Sequence, residues 1–420
     1  MKRYFLFFTL IFTAMSAFCQ EITGEWEGTL SIQNTSLRLV FHINKTDAGY
    51  CATMDSPDQG AKGIKMSHVT FENSLLTIEL RIATIKYSGI LDKNTINGTY
   101  SQAGQSMPLV LTKSEKVSVK TDEKVDINAG YIETAIVLQT KKGKLYGTLT
   151  TPKNLNNGPL ALIIAGSGPT DRNCNNPSMT NDAYKKLAHE LADNNISSLR
   201  YDKRGIAESV AAVESESDLV FDDYVNDAKD WIQLVKQDKR FSQIVVIGHS
   251  EGSMIGMLAA VKADKFVSVA GIGQSAATLL KEQLSAQTKE LKDLSFPIID
   301  SLVMGKKVEN VNPMVMSIFR PSVQPYLISW FKYNPLTEIK KLKVPVLIIQ
   351  GSTDIQVGVE DAKLLSLAYP QSKLLIIDKM NHILRTVEGD RQANLETYNN
   401  AALPLADGFV KGITEFILQK

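Results

Sequence analysis

The sequence predicts a small all-β domain followed by a doubly wound α/β domain with a mostly parallel sheet. Residues 21 to about 118 hold short alternating apolar runs between turn signals, and no stretch of helical period. From Tyr131 onward, apolar runs of strand length alternate with helical segments. Between one such run and a helix stands Gly248-His249-Ser250-Glu251-Gly252, and a G-x-S-x-G in that context bends a strand sharply into a helix.

A chain of 420 residues exceeds one ordinary domain. Its 44% hydrophobic and 22% charged residues are globular values, which exclude wholesale disorder. Forty-six basic residues against forty-five acidic ones give a net charge of +1. No nucleic-acid or anionic-membrane partner is expected from such a balance. Three cysteines exclude a disulfide scaffold and a Cys-rich zinc module.

In chain order, residues 1–19 read as a secretory signal peptide. Met1-Lys2-Arg3 is the basic start, Tyr4 to Phe18 the apolar run, and Ala17-Phe18-Cys19 the cleavage site. The run falls short of the ~20 residues of a membrane span. Export to the periplasm or the extracellular space is therefore expected, with no stable span after cleavage. Ser16 and Phe18 fit a lipoprotein signal poorly, which argues against lipidation of Cys19. Of the remaining cysteines, Cys51 and Cys174 fall in different predicted domains and are expected to be free thiols.

Residues 20–118 are expected to form a small antiparallel β-barrel or β-sandwich. Leu37 to Ile43 and Leu75 to Ile82 alternate as half-buried strands, and Trp26, Phe41 and Phe71 are candidate core residues. The charged stretch 119–130 reads as a linker.

The α/β domain spans 131–420. Ile132 to Thr140 and Leu145 to Thr150 form a hairpin, and Leu160 to Ile164 has the continuous apolar character of a strand buried on both faces. Helix Asp182–Asn194, strand Ile196–Tyr201, helix Leu219–Val235, strand Ile244–Ile247, helix Ser253–Val261 and strand Phe266–Ile272 follow. Strands Val344–Ile349 and Leu374–Ile377 and a last helix at 407–419 complete the pattern. Between them, about 276–340 is a helical insertion placed to act as a lid, with Met304, Met314, Met316, Phe319, Trp330, Phe331 and Tyr333 packing on its own helices or over the catalytic edge.

The chemistry is read from the ends of the strands. Ser250 is the candidate nucleophile, raised on the turn at the positive end of a helix. A serine hydroxyl needs a base. His382 is the only histidine after Ser250. His42 and His68 lie in the β domain, His189 on a helix and expected at the surface, and His249 beside the nucleophile with its side chain turned from the substrate. Asp354, in the loop after Val346–Ile349, is the candidate orienting acid; Asp378 is the rival, and Asp361 on the next helix is expected to face solvent. The oxyanion donors are expected to be the backbone N–H of Glu251 and that of Ser167, with Gly168 next, in the glycine-rich loop 165–173. Asp171-Arg172 and Asp202-Lys203-Arg204-Gly205 read as structural, the former as an ion pair shaping its loop. Glu251 has two readings, binding a substrate amine or pairing with Arg204 or Arg172. No H-E-x-x-H, C-x-x-C or Walker lysine is present, and Gly166-Ser167-Gly168 lacks the rest of a dinucleotide fingerprint; no metal or cofactor is expected.

With these residues in order, residues 131–420 resemble an α/β-hydrolase. Gly166 to Asn173, Tyr201-Asp202-Lys203-Arg204-Gly205 and Gly248 to Gly252 resemble, more narrowly, exported bacterial hydrolases of the serine aminopeptidase-like branch, which includes carboxylesterases with an N-terminal β domain. Ser253 departs from that pattern, where relatives often carry glycine. The resemblance implies ester or amide hydrolysis through an acyl-enzyme without a cofactor. The expected function is a secreted carboxylesterase on short to medium acyl esters. A serine aminopeptidase or prolyl-type peptidase on short peptides is the alternative, and a binding protein with an inert hydrolase half is a further one.

Overall fold

The computed structural model describes residues 22–32, 35–46, 49–59, 61–102, 104–114, 130–285 and 287–419. The expected signal peptide, its cleavage site at Cys19 and the linker up to residue 129 lie outside the described residues.

The N-terminal part is nine strands: β1 (Gly24–Ile32), β2 (Thr35–Thr46), β3 (Gly49–Ser56), β4 (Ala61–Lys65), β5 (His68–Glu72), β6 (Leu75–Leu80), β7 (Ile85–Asp92), β8 (Thr95–Gln102) and β9 (Gln105–Lys113). They form one antiparallel sheet in the order β4-β3-β2-β1-β9-β8-β7-β6-β5. The two edge strands, β4 and β5, are consecutive in the chain and joined only by Met66-Ser67. That short link forces the sheet to roll up. Met66 N–H donates to Ala52 O on β3 at 2.9 Å, and Ser67 N–H donates to Glu79 O on β6 at 2.7 Å, so adjacent residues tie opposite ends of the sheet together. The result is a barrel, one of the two forms expected. Its interior is built from alternate residues of each strand: Trp26, Phe41, Ile78 and Tyr87 are fully buried, and the Phe41 and Tyr87 rings stack at 5.8 Å. Phe71 lies at the margin of this core, edge-on to Tyr50.

The second sheet contains β10 (Tyr131–Thr140), β11 (Gly143–Pro152), β12 (Gly158–Ile164), β13 (Ser197–Tyr201), β14 (Phe241–His249), β15 (Lys265–Val269), β16 (Val346–Gly351) and β17 (Lys373–Ile377). Its order is β10-β11-β13-β12-β14-β15-β16-β17. The β10–β11 and β11–β13 pairs are antiparallel and the rest parallel. From β12 the chain goes first to one side and then to the other. The crevice at this reversal lies outside the carboxyl ends of β12 and β14, where open α/β sheets place their sites. Helices α1 (Ala183–Asp193), α2 (Phe221–Lys236) and α3 (Glu251–Ala259) connect these strands. Two apolar cores, one on each face of the sheet, hold them.

Several boundaries differ from expectation, two of them close to Ser250. Helix α3 begins at Glu251, directly after Ser250, rather than at Ser253. Strand β15 ends at Val269, not Ile272, because Ala270 turns the chain with φ +48° after its N–H reaches Ile349 O.

The insertion holds α4 (Ala276–Ser285), α5 (Lys289–Val303), α6 (Met316–Phe319), α7 (Gln324–Trp330) and α8 (Pro335–Glu338). Ile299, Leu302, Val315 and Phe319 make a core of its own, which extends to Ile272 after β15 and Val357 in the loop after β16. Trp330 stacks on Phe221 of α2. Met304, Met314 and Met316 are exposed. Helices α9 (Val359–Ala368), α10 (Arg391–Glu396) and α11 (Phe409–Leu418) complete the chain.

Candidate active site

The turn at the end of β14 is as tight as its sequence requires. A β-carbon on Gly248 would lie 2.2 Å from Gly252 O, and one on Gly252 would lie 2.3 Å from Ile164 O. Only glycines let α3 fold back against the ends of β14 and β12 this closely. Ser250 itself takes φ +54° and ψ −122°, a strained conformation for a serine. Its N–H is held by Val269 O at 2.9 Å, and it stands as the residue before the first turn of α3.

His382 lies in the loop after β17, with Nδ1 2.8 Å from Asp354 Oδ2; both side chains are almost fully buried. Asp354 comes from the loop after β16. Its Oδ1 accepts the N–H groups of Gln356 (2.8 Å) and Val357 (3.0 Å), and Oδ2 also accepts from Gln350 Nε2 (3.0 Å). Burial alone raises this carboxyl's pKa, but His382 and the two N–H donors outweigh it and hold it below its ordinary value. An ionised acceptor fixes the proton on Nδ1 of His382 and leaves Nε2 unprotonated in the neutral ring. The rival Asp378 is exposed and accepts from the Ser352 hydroxyl. Asp361, expected in solvent, is instead buried. It accepts Gly273 N–H at 2.8 Å and Gly358 N–H at 3.3 Å, tying the start of α9 to the segment after β15.

His249 does more than turn away from the crevice. Its Nε2 donates to His382 O at 2.8 Å, so Nδ1 accepts from the Tyr184 hydroxyl at 2.8 Å. The Tyr184 oxygen in turn accepts Gly166 N–H at 3.1 Å. One imidazole thus links the backbone of the His382 loop to that of the candidate oxyanion loop. A β-carbon on Gly166 would sit 3.2 Å from Ser250 Cβ, so this loop passes directly against Ser250. Ser167 O accepts from the Thr170 hydroxyl at 3.0 Å.

The charged residues around the loop pair differently from expectation. Asp171 does not pair with Arg172. It accepts the N–H groups of Asn173 and Asn175, both at 2.8 Å, and burial pushes its carboxyl up to about 6. Arg172 reaches Asp202 at 2.8 Å and also Glu208. Glu251 pairs with neither Arg204 nor Arg172. Lys203 Nζ stands 3.2 Å from its Oε2, and Arg204 holds Asp227 with Nη2 2.6 Å from Oδ1. The Asp202-Lys203-Arg204 turn is buried at all three residues and ties three elements to the end of β13. Its three successive charges were the visible signal for this, but not for which partner each takes. His189 is half-buried rather than at the surface, stacked on Tyr131 with Nε2 3.0 Å from Glu133. Cys51 is exposed and Cys174 buried, and both are free. Ser253 packs inward, its hydroxyl 2.7 Å from that of Ser268. Among the described residues, no three His, Cys, Asp or Glu side chains gather to hold a metal ion, and no helix is long and apolar enough to cross a membrane.

A family described as serine aminopeptidase, S33, matches residues 179–327, a stretch that includes Ser250 and ends before Asp354 and His382. Over 260 residues the chain is 27% identical to Esterase EstD of Thermotoga maritima. That match covers 58% of this chain and 59% of the relative, so the chain spans about three fifths of its length. Among solved structures, Est1E from Butyrivibrio proteoclasticus with bound ferulic acid is 18% identical, covering 67% of this chain and 96% of that one at a TM-score of 0.45. The alpha/beta hydrolase GrgF from Penicillium sp. sh18 is 18% identical, covering 63% and 96% at a TM-score of 0.44.

Proposed function

We propose that the chain is an α/β-hydrolase of the serine aminopeptidase-like branch and that it is a serine hydrolase cleaving carboxylic esters of short to medium acyl length. The observation that carries this is the Asp354–His382 hydrogen bond at the same sheet edge as Ser250 on its strained turn. In this reading Ser250 Oγ attacks the ester carbonyl carbon while His382 Nε2 takes its proton. The oxyanion is held by the backbone N–H groups of Glu251 and Ser167. The carbon–oxygen bond to the alcohol breaks, and His382 returns the proton to the departing oxygen. Water then attacks the acyl-serine and gives a proton to His382; the bond between the acyl carbon and Ser250 Oγ breaks, His382 returns the proton to Oγ, and the acid leaves. Asp354 keeps the imidazole in the working tautomer and stabilises it when charged.

Esters are favoured over peptides by the position of Glu251. Its side chain is 2% exposed, with Oε2 paired to Lys203 and Oε1 buried, so it presents no accessible carboxylate to a substrate amine. The name of the Thermotoga maritima relative supports the same choice. The test is a parallel rate comparison on p-nitrophenyl esters from acetate to palmitate and on amino-acyl p-nitroanilides. Fast turnover of the shorter esters with slow anilides is expected. Anilide cleavage at rates comparable to esters would move the enzyme to the peptidases. Export is part of the proposal and rests on the pattern of residues 1–19. Mass spectrometry of protein recovered from the producing cell is expected to find a mature N-terminus near Gln20; an intact Met1 would contradict it.

A further inference from the structure

The two backbone donors proposed for the oxyanion come from different elements. Ser167 follows β12, and Glu251 opens α3. A tetrahedral oxyanion needs both N–H groups within hydrogen-bond distance of one point, set before the reaction begins. Something must therefore fix the loop after β12 relative to the first turn of α3.

One side chain touches both. Lys203, from the turn after β13, is 1% exposed. Its Nζ donates to Gly166 O at 2.6 Å and to Glu251 Oε2 at 3.2 Å, and it lies 4.8 Å from the centre of the Tyr224 ring. The Gly166 carbonyl and the Ser167 N–H belong to the same peptide unit, and no cis peptide bond occurs among the described residues. In a trans peptide these two groups point in opposite directions. A lysine that holds the carbonyl on one side therefore aims the Ser167 N–H to the other. On the neighbouring peptide, Gly166 N–H is held by the Tyr184 hydroxyl at 3.1 Å, so the strand of loop beside Ser250 is clamped on both sides of Gly166. The second bond of Lys203 falls on Glu251, the residue whose own N–H is the other donor.

We propose that Lys203 is the positioning residue of the oxyanion hole, its ammonium binding Gly166 O and the Glu251 carboxylate at once and so fixing the separation and direction of the Ser167 and Glu251 N–H groups. This rests on the serine-hydrolase reading above. Lys203 touches no substrate; it acts through the two peptides it holds. A buried cation suits the task because its bonds to a carbonyl and a carboxylate are charge-assisted and shielded from water. It also gives the Glu251 carboxylate a purpose unrelated to substrate amines.

The test compares wild type, Lys203→Met and the double variant Lys203→Met/Glu251→Gln. The single variant strands a buried carboxylate and is at risk of misfolding. The double variant removes both charges and keeps the volume, yet still leaves Gly166 O without its donor. Each is checked by circular dichroism and assayed for kcat and KM on p-nitrophenyl acetate. Each is also assayed for inhibition by an alkyl trifluoromethyl ketone, which captures the serine as a hemiketal oxyanion. The expected result for the folded double variant is a kcat lowered about 100-fold, the scale of losing one oxyanion donor. KM should stay within about twofold and the ketone should weaken in parallel with kcat, since only the transition state uses the lost donor. A merely structural ion pair predicts a lower Tm with kcat and ketone affinity kept. A folded double variant of that kind overturns the positioning role while leaving the hydrolase reading intact. A wild type that neither turns over the ester nor reacts with a fluorophosphonate at Ser250 overturns both.

Discussion

At the residue scale, the contact between His382 and Asp354 is the most demanding feature of the site. Asp354 spends all four of its acceptor interactions on His382, Gln350 and the N–H groups of Gln356 and Val357. Asp354→Asn keeps the volume but turns one end of the side chain into a donor, which favours the wrong imidazole tautomer. The expected outcome is a kcat for p-nitrophenyl acetate lower by about 10⁴-fold with little loss of stability; a variant within tenfold of wild type would remove Asp354 from its role. His249 makes a separate prediction. Burial, and the His382 ring 4.7 Å away, depress its pKa to about 3. The unfolded chain binds that proton below pH ~6.5 whereas the folded chain does not until about 3. Stability is thus complete above the unfolded pKa and falls as the pH drops, by up to ~1.4 kcal/mol per pH unit. Asp171 and Asp227, both raised to about 6 with burial as the largest cause, act in the opposite sense in part of this window. The comparison is therefore between wild type and His249→Gln by urea unfolding at pH 4 to 6.5. The variant is expected to lose less stability on acidification, and parallel curves would contradict the assignment.

At the element scale, the elbow shows why some of the site was legible and some was not. The sterics of G-x-S-x-G are local. The glycine–backbone contacts could be read from spacing, and the structure has them at 2.2 and 2.3 Å. Gly252→Ala is accordingly expected to destabilise the fold by roughly 2 kcal/mol or more, because its new methyl meets backbone oxygens that cannot swing aside; an unchanged urea midpoint would show that β12 and α3 can part freely. The order of Ser250, Asp354 and His382 was legible because each follows an apolar strand, and strand ends share one edge of a parallel sheet. The partners of buried charges were not. Lys203 and Arg204 are neighbours in the sequence and Arg172 lies on another loop, and which of them meets Glu251 depends on how three loops cross, which no local pattern encodes. Asp361 was misplaced for the same reason. Its place on a helix reads as solvent-facing, but its carboxylate accepts backbone N–H groups at the start of that helix and in a neighbouring segment. The barrel was legible as a class of fold, whereas its closure depends on a two-residue link between edge strands that alternation does not reveal.

At the scale of the whole molecule, the barrel is docked on the segment that follows the Asp202-Lys203-Arg204 turn. Ile82 packs against both the barrel core and a core of the α/β sheet, Val210 joins the barrel core, and Lys65 reaches Glu208 at 2.9 Å. Glu208 also holds Arg172 of the candidate oxyanion loop. The barrel therefore supports, through one exposed ion pair and an apolar contact, the same loops that frame Ser250. The apolar contact outweighs the ion pair, since exposed pairs contribute about 1 kcal/mol at most. Ile82→Asp is expected to cost about 2 kcal/mol and lower the Tm by several degrees. Lys65→Ala should leave the Tm within about a degree, in keeping with the small worth of such pairs. Differential scanning calorimetry distinguishes these, and an Ile82→Asp protein as stable as wild type would show that barrel and hydrolase fold do not share this contact.

Ser250 as a nucleophile activated by its surroundings is tested most simply by the intact mass of the protein after reaction with a fluorophosphonate. A single adduct is expected on wild type, mapped to Ser250 by peptide sequencing, and none on a Ser250→Ala variant with the same circular dichroism spectrum. A folded wild type that stays unmodified, or a Ser250→Ala protein labelled as fast as wild type, would contradict it.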